Sequence, residues 1–231
     1  MKSHLQPRAR SLALLFWTAA LLPFLSVHSS FFLAASQGHV DWCMPYWDSC
    51  TSISATGRQM PEKALFKLGM LPSAFLMGFL WWHIRRWLML ALAEKSRHRI
   101  NSMFTLGCLA GFFLLLYTLA LGVEGDSFQR LRRIGVTLSF AFTFLSQLLC
   151  TQLFGQVARL SGDAAMLAWH RALLGLLSLL LLVGIASLVL DAQLGDVYDA
   201  MEDAFEWNLA LLLQLWFAGA AVLLAKTTIQ H

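Results

Sequence analysis

The residues with the clearest potential for chemistry lie in one stretch, from Asp41 to Lys67. Cys43 and Cys50 enclose six residues, a spacing that suits a small disulfide-closed loop in an oxidising compartment. Closing a ring of this size stabilises the folded chain by about 2.5 kcal/mol. A zinc site would need a CxxC pair or partner histidines, which the stretch lacks. We therefore predict a structural disulfide and no metal site.

Hydroxyl and basic side chains follow the cysteine pair and could bind a lipid headgroup. They are Ser52, Ser54, Thr56, Arg58 and Lys67. Arginine and lysine pair readily with phosphate, and hydroxyls hydrogen-bond phosphates or sugars. The alternative is helix capping, because Ser, Thr and Gly end and begin helices and Pro61-Glu62 suits a first helical turn. We predict a headgroup site here and leave catalytic residues unassigned.

Lys67 is the most informative of these residues because it lies about one turn inside an apolar run. An ionisable group within a span costs about 2.5–3.5 kcal/mol at the centre and less near an end. The amine of Lys67 could extend to the interface, pair with a carboxylate or bind a lipid phosphate. Lys63, four residues earlier, would share its helix face.

A second polar segment, residues 191–206, carries six acidic residues and no lysine or arginine. Asp196, Asp199, Asp203 and Glu206 follow the spacing i, i+3, i+7 and i+10, which places them on one helix face. This pattern predicts an amphipathic helix. Its acidic face could hold Ca²⁺ or Mg²⁺ or pair with basic groups, and we favour a solvated face.

Other groups that could ligate a metal or act as a base are dispersed. His28, His39 and Asp41 are such groups, but their spacing in an irregular segment is weak support for a site. An enzyme needs acid, base or metal groups that converge. We therefore expect no cofactor and favour binding over catalysis.

The elements that must position these residues are membrane spans. Hydrophobic residues make up 58% of the chain and charged residues 13%, against about 45–50% and about 25% in soluble domains. Six apolar runs approach the roughly 20 residues that cross a bilayer. They lie near 11–34, 65–84, 103–122, 134–157, 172–190 and 207–225. The sequence predicts an all-α integral membrane protein, a single domain over 1–231 with six transmembrane helices.

The distribution of charge predicts the orientation of these helices. The cytoplasmic segments would be 1–10, 85–102, 158–171 and 226–231. They hold 11 of the 17 Lys and Arg residues and two of the 13 acids, as the positive-inside bias requires. Both termini are then cytoplasmic, and loop 36–63 and segment 191–206 are on the outer side. Arg130, Arg132 and Arg133, in an outer loop, are the exception. Because the basic charge reports topology, we expect no nucleic-acid partner.

Residues 51–57 read T-S-I-S-A-T-G, Pro61 follows, and residues 66–74 read F-K-L-G-M-L-P-S-A. This stretch resembles the FGF-receptor-activating-protein / damage-regulated-autophagy-modulator family, most closely the branch with the Golgi factor that remodels GPI-anchor lipids. That family has six spans and an outer loop that enters the second span through a Ser-rich, Pro-containing motif. The resemblance implies handling of a lipid or glycolipid at the outer leaflet.

Two functions remain open. We predict a multi-pass membrane protein that recognises, and helps to remodel, a lipid or glycolipid at the outer leaflet. The alternative is a non-enzymatic adaptor or regulator that binds the transmembrane helices of partner proteins. We expect the plasma membrane, or the inner membrane of a bacterium, in preference to an internal membrane.

Overall fold

The computed structural model describes residues 6–92 and 96–226, with side chains from residue 10 onward in these ranges. This part of the chain is all-helical. The helices are α1 (Gln6–Ser36), α2 (Pro45–Asp48), α3 (Glu62–Leu92), α4 (Arg97–Ala120), α5 (Asp126–Ser161), α6 (Ala164–Leu194) and α7 (Asp196–Lys226), with a 3-10 helix at Ala55–Gly57. All except α2 and the 3-10 helix are long and apolar enough to cross a membrane. The predicted fold class and six spans are confirmed, and the orientation stays a prediction.

The six long helices pack as a ring in chain order. Each contacts the next, and α7 returns to contact α1. Short connections favour this arrangement because they force neighbouring helices to be antiparallel. One residue, Gly195, separates α6 from α7, and residues 162–163 separate α5 from α6. The connections therefore alternate between the two ends of the ring.

The helices extend beyond the apolar runs in the sequence. Helix α5 begins at Asp126, so Arg130, Arg132 and Arg133 lie in its first two turns. The acidic segment is divided between two helices: residues 191–194 end α6, and α7 starts at Asp196. Gly195 lies between them with φ of +51°, which favours glycine.

The half of the ring away from the connection between α1 and α3 is filled by a large aromatic and aliphatic core. Trp81 and Trp216 are fully buried there, with ring centroids 6.4 Å apart. Glycines on α4 allow this packing. A Cβ at Gly107 would overlap the Trp81 ring, and a Cβ at Gly111 would lie 2.8 Å from the carbonyl oxygen of Ala74. Helices α3 and α4 can therefore approach closely.

Residues 37–61, which we call the cap, connect α1 to α3 and cover one end of the ring. Cys43 and Cys50 are disulfide-bonded within the cap, which confirms the prediction from their spacing. Four hydrogen bonds between described residues fix the cap to α7. They join Ser49 Oγ to Ala204 N (3.1 Å), Thr51 O to Trp207 Nε1 (2.8 Å), Tyr46 O to Asn208 Nδ2 (2.9 Å) and Ile53 N to Glu206 Oε2 (3.3 Å).

Candidate functional site

A cavity of about 90 Å³ lies inside the ring, directly beneath the cap. Its walls come from α1, α3, α4, α5 and α7, and Tyr46 and Ile53 of the cap close one end. Most of the lining is apolar, including Val27, Met70 and Phe140. Cavities with apolar walls and a few placed polar groups are typical of small-molecule and cofactor sites. We call it the bundle cavity.

A histidine and a tyrosine form the first polar pair of the bundle cavity. His28 Nδ1 lies 2.7 Å from the carbonyl oxygen of Phe24, and His28 Nε2 lies 2.8 Å from Tyr46 Oη. A carbonyl can only accept a hydrogen bond. A neutral His28 ring therefore carries its hydrogen on Nδ1, and Nε2 accepts the hydrogen bond that Tyr46 donates. Burial raises the pKa of Tyr46 to about 12, so the phenol keeps its proton at neutral pH.

Trp207 holds this pair in position. Its ring is 1% exposed and meets the rings of His28 and Tyr46 nearly edge-on, with centroids 5.4 and 5.5 Å away. The indole nitrogen donates to Thr51 O, as described above. Edge-to-face aromatic contacts stabilise by about 0.5–1.5 kcal/mol beyond the burial of their area. The cap, α1 and α7 are thus joined at one aromatic cluster.

Glu206 and Tyr117 add two further polar groups to the lining. Glu206 is partly buried, and its Oε2 accepts a hydrogen bond of 3.3 Å from Ile53 N. Tyr117 is 2% exposed, and its hydroxyl has no hydrogen-bond partner among the described residues. A buried hydroxyl without a partner costs about 1–3 kcal/mol. Such a group is an exception among buried polar side chains and requires an explanation.

This site was not predicted from the sequence, but α5 carries one signal of it. Ser139 and Thr143 of α5 line the bundle cavity. They continue into a buried polar row with Gln147 and Thr151, at a spacing of four residues. Gln147 Nε2 donates to Leu213 O at 3.1 Å. Polar residues repeated every helical turn within an apolar span mark an inward face.

Three of the predicted headgroup residues lie together on the cap. The Oγ atoms of Ser52 and Ser54 are 3.0 Å apart, and an Arg58 guanidinium nitrogen donates to Ser54 Oγ at 3.0 Å. Ser52 and Arg58 line a second, polar cavity of about 450 Å³ that opens at the surface of the cap. Asp41 and Asp203 line the same cavity. We call it the cap cavity.

The other two predicted headgroup residues have different surroundings. Thr56 is fully buried, and its hydroxyl donates to Ile53 O at 2.8 Å, which is a structural contact. Lys67 Nζ lies 3.3 Å from Leu119 O, at the end of α4. Neither residue lines the bundle cavity or the cap cavity. Their role at a headgroup stays a prediction.

Three cations surround the C-terminal end of α4. Lys67 contacts Leu119 O, Lys63 Nζ donates to Gly122 O at 2.7 Å, and Arg132 donates to Val123 O at 2.9 Å. The last carbonyl groups of a helix lack partners within it and carry partial negative charge. Arg132 is one of the outer arginines that depart from the positive-inside bias, and its contacts with the end of α4 give its position a structural reason.

The predicted acidic face is divided between the two cavities and solvent. Glu206 lines the bundle cavity, Asp203 lines the cap cavity, and Asp196 and Asp199 are exposed. No group of three His, Cys, Asp or Glu side chains that could hold a metal occurs among the described residues.

The two histidines considered together in the sequence have separate partners. His28 contacts Tyr46, whereas His39 Nδ1 lies 2.7 Å from Oε1 of the fully buried Glu62, the first residue of α3. The contact between the half-buried His39 and the buried Glu62 fixes the start of the cap to the start of the second long helix.

These features define a class: a six-helix membrane protein whose ring of helices encloses a small cavity beneath a disulfide-closed cap. The chain belongs to the family described as Frag1/DRAM/Sfk1/Cwh43P N-terminal domain, whose model matches residues 11–222. The predicted family is thereby confirmed. The match is to the family as a whole and does not single out its GPI-anchor branch. No curated protein and no solved structure is significantly similar to the chain.

Proposed function

We propose that this protein recognises a membrane lipid or glycolipid, with the apolar part of the ligand in the bundle cavity and a polar group beneath the cap. The observation that carries the proposal is the composition of that cavity. Its walls are apolar, and His28, Tyr46, Glu206 and Tyr117 add polar groups to them. A ligand with an apolar chain and one polar end matches this arrangement.

The polar groups must provide most of the selectivity. An acyl chain in a bilayer already has apolar neighbours, so its transfer into an apolar cavity yields little hydrophobic free energy. Each hydrogen bond at the polar end contributes about 0.5–1.5 kcal/mol net. Lipids with the same chains but different polar ends should therefore differ clearly in affinity.

The cap cavity is the second part of the proposed site. Ser52, Ser54 and Arg58 could bind a phosphate or sugar that extends beyond the polar end of the bundle cavity. Residues 51–53 contact α7 through Glu206 and Trp207 and lie between the two cavities. A role in lipid remodelling follows if the bound lipid is held here for modification, with its chain buried and its headgroup accessible.

Narrowing the bundle cavity tests the proposal. Ala210→Phe places a phenyl ring at a lining position of α7. Ala186→Phe makes the same change at an exposed position of α6, on the outside of the ring. Lipids that co-purify with the full chain are identified by mass spectrometry. We expect Ala210→Phe to lose a lipid that the unchanged protein and Ala186→Phe both retain. The same lipid in all three preparations would contradict the proposal.

Two substitutions test the predicted headgroup residues separately. Arg58→Gln removes the cation of the cap cavity, and Lys67→Met removes the cation at the end of α4 while placing an apolar group in lipid. We expect Arg58→Gln to weaken binding of a glycolipid whose sugar carries a phosphate about tenfold or more, since hydrogen bonds to charged groups contribute about 1.5–3 kcal/mol. If only Lys67→Met weakens it, the headgroup lies beside α4 and not in the cap cavity.

A second candidate function, binding of partner transmembrane helices, is favoured by helix α6. In the most apolar 18-residue stretch of α6, only 17% of the residues are buried, against 39–44% in the corresponding stretches of the other five long helices. A partner helix could pack on this surface. Cross-linking from single cysteines at Leu182 and Leu188, both exposed on α6, tests this function. A cross-linked partner that depends on α6 positions and survives Ala210→Phe would support the adaptor role.

A further inference from the structure

We infer that the ligand group at the polar end of the bundle cavity is an uncharged hydroxyl of a lipid, not a phosphate. This inference rests on the proposed function and specifies its ligand. It depends on which polar atoms line the cavity and on where the cations of this end of the protein lie.

The first observation is that the described lining of the bundle cavity offers no lysine or arginine to meet a phosphate. The nearby basic groups contact other atoms: Arg58 donates to Ser54 on the cap, and Lys63, Lys67 and Arg132 contact the end of α4. A buried charge without a partner is strongly unfavourable. A phosphate is therefore poorly matched to this cavity.

The second observation is an excess of acceptor atoms. With His28 neutral, Tyr46 donates its only hydroxyl hydrogen to that ring, so the oxygen lone pairs of Tyr46 remain as acceptors. An ionised Glu206 accepts one hydrogen bond at Oε2, from Ile53 N, and its carboxylate oxygens can accept more. The acceptor oxygens of Tyr46 and Glu206 match a ligand group that donates a hydrogen bond.

The third observation is Tyr117, which lines the same cavity and whose buried hydroxyl has no hydrogen-bond partner in the described part of the chain. A phenol donates one hydrogen bond and also accepts. An oxygen of the ligand could accept the hydrogen of Tyr117. A hydroxyl group both donates and accepts, so it can satisfy a Glu206 oxygen and the Tyr117 hydrogen together. An ammonium group can only donate, and a phosphate brings negative charge to a lining without lysine or arginine.

Binding of defined lipids to the full chain tests the inference. Dioleoylglycerol carries a free hydroxyl, its 3-O-methyl ether lacks only the donor hydrogen, and dioleoyl phosphatidic acid replaces the hydroxyl by a phosphate. A glycosylated dioleoylglycerol carries sugar hydroxyls, and a long-chain primary amine carries an ammonium group. Dissociation constants are measured by native mass spectrometry from nanodiscs of phosphatidylcholine.

We expect dioleoylglycerol or its glycosylated form to bind at least tenfold more tightly than the ether, the phosphatidic acid and the amine. The tighter of the two hydroxyl lipids identifies the source of the hydroxyl. Tyr117→Phe should weaken binding of the hydroxyl lipids and of the ether alike, because each offers an oxygen that accepts the Tyr117 hydrogen, and the substitution removes that donor while keeping the ring. Glu206→Gln should narrow the preference over phosphatidic acid, and Asp199→Asn, which neutralises an exposed acid on the same helix, should not.

Tighter binding of phosphatidic acid or of the amine would overturn the inference. Equal binding of the ether and the hydroxyl lipids would also overturn it. Failure of the proposed function has a different signature: Ala210→Phe would leave the binding of every lipid unchanged. If Ala210→Phe abolishes binding and the unchanged protein binds all the lipids with equal affinity, the cavity is a lipid site without selectivity for a hydroxyl group.

Discussion

Trp207→Phe should detach the cap from the ring of helices more than any other single aromatic substitution at this end. Trp207 is 1% exposed, its indole nitrogen donates a 2.8 Å hydrogen bond to Thr51 O, and its ring packs against His28, Phe31 and Tyr46. Phenylalanine keeps an aromatic ring in the cluster but has no donor. Thr51 O would then lose its partner in a buried setting.

The magnitude follows from the hydrogen bond and the packing. Leaving a buried acceptor unsatisfied costs about 1–3 kcal/mol, and the smaller ring leaves a cavity and weaker edge-to-face contacts. We expect the free energy of unfolding of the full chain to fall by about 2–4 kcal/mol. Reversible unfolding in mixed micelles measures this change, and the rate at which a reductant opens the cap disulfide measures local detachment.

Trp47→Phe is the matched control. Trp47 lies on the same cap but is 86% exposed, so the same substitution there should change the free energy of unfolding by less than about 0.5 kcal/mol. Trp207→Phe should also accelerate reduction of the disulfide, and Trp47→Phe should not. Equal effects of the two substitutions would show that the contacts of Trp207 do not fix the cap.

Three further predictions concern the cap and the topology. Replacing Cys43 and Cys50 together by serine should lower the free energy of unfolding by about 2.5 kcal/mol; no loss relative to the oxidised protein would contradict this. Reporter fusions after Lys95 and after Asp199 should report opposite sides of the membrane, and a result that places both on the same side would contradict the predicted topology. The pKa of Tyr46, raised to about 12 from 10.0, contributes stability that is fully present below pH 10 and lost as pH rises towards 12. Tyr46→Phe should therefore reduce the loss of stability over that range, and an unchanged pH dependence would contradict the burial of this phenol.

The membrane architecture could be predicted from the sequence because the bilayer imposes a strong constraint. A segment that crosses the bilayer must satisfy its own backbone hydrogen bonds and be apolar over about 20 residues. The run at 172–190 shows this directly, since α6 contains it and is the most apolar of the six. The disulfide between Cys43 and Cys50 could also be predicted, because the prediction used only their spacing and their position outside the spans.

The candidate site could not be predicted in the same way. His28, Tyr46, Tyr117 and Glu206 belong to four different helices, and only the closed ring places them around one cavity. The spacing of the acids correctly placed Asp203 and Glu206 on a helix. Their different surroundings depend on how the cap packs on α7, which places Asp203 in the cap cavity and Glu206 in the bundle cavity. The amine of Lys67, a charge inside a span that suggested a headgroup ligand, contacts Leu119 O at the end of α4, and its headgroup role stays a prediction.

The single residue between α6 and α7 has a practical consequence. Glu206 lies ten residues after Asp196, so this hairpin rises about 15 Å beyond the level of the bundle cavity. Tyr198 and Ser187 are joined by a hydrogen bond across it, and a Cβ at Gly195 would meet no atom within 4 Å. An epitope inserted after Gly195 would therefore be displayed on a solvent-facing turn, remote from both cavities. Such a tag allows the protein to be captured from native membranes for the identification of co-purified lipids proposed above.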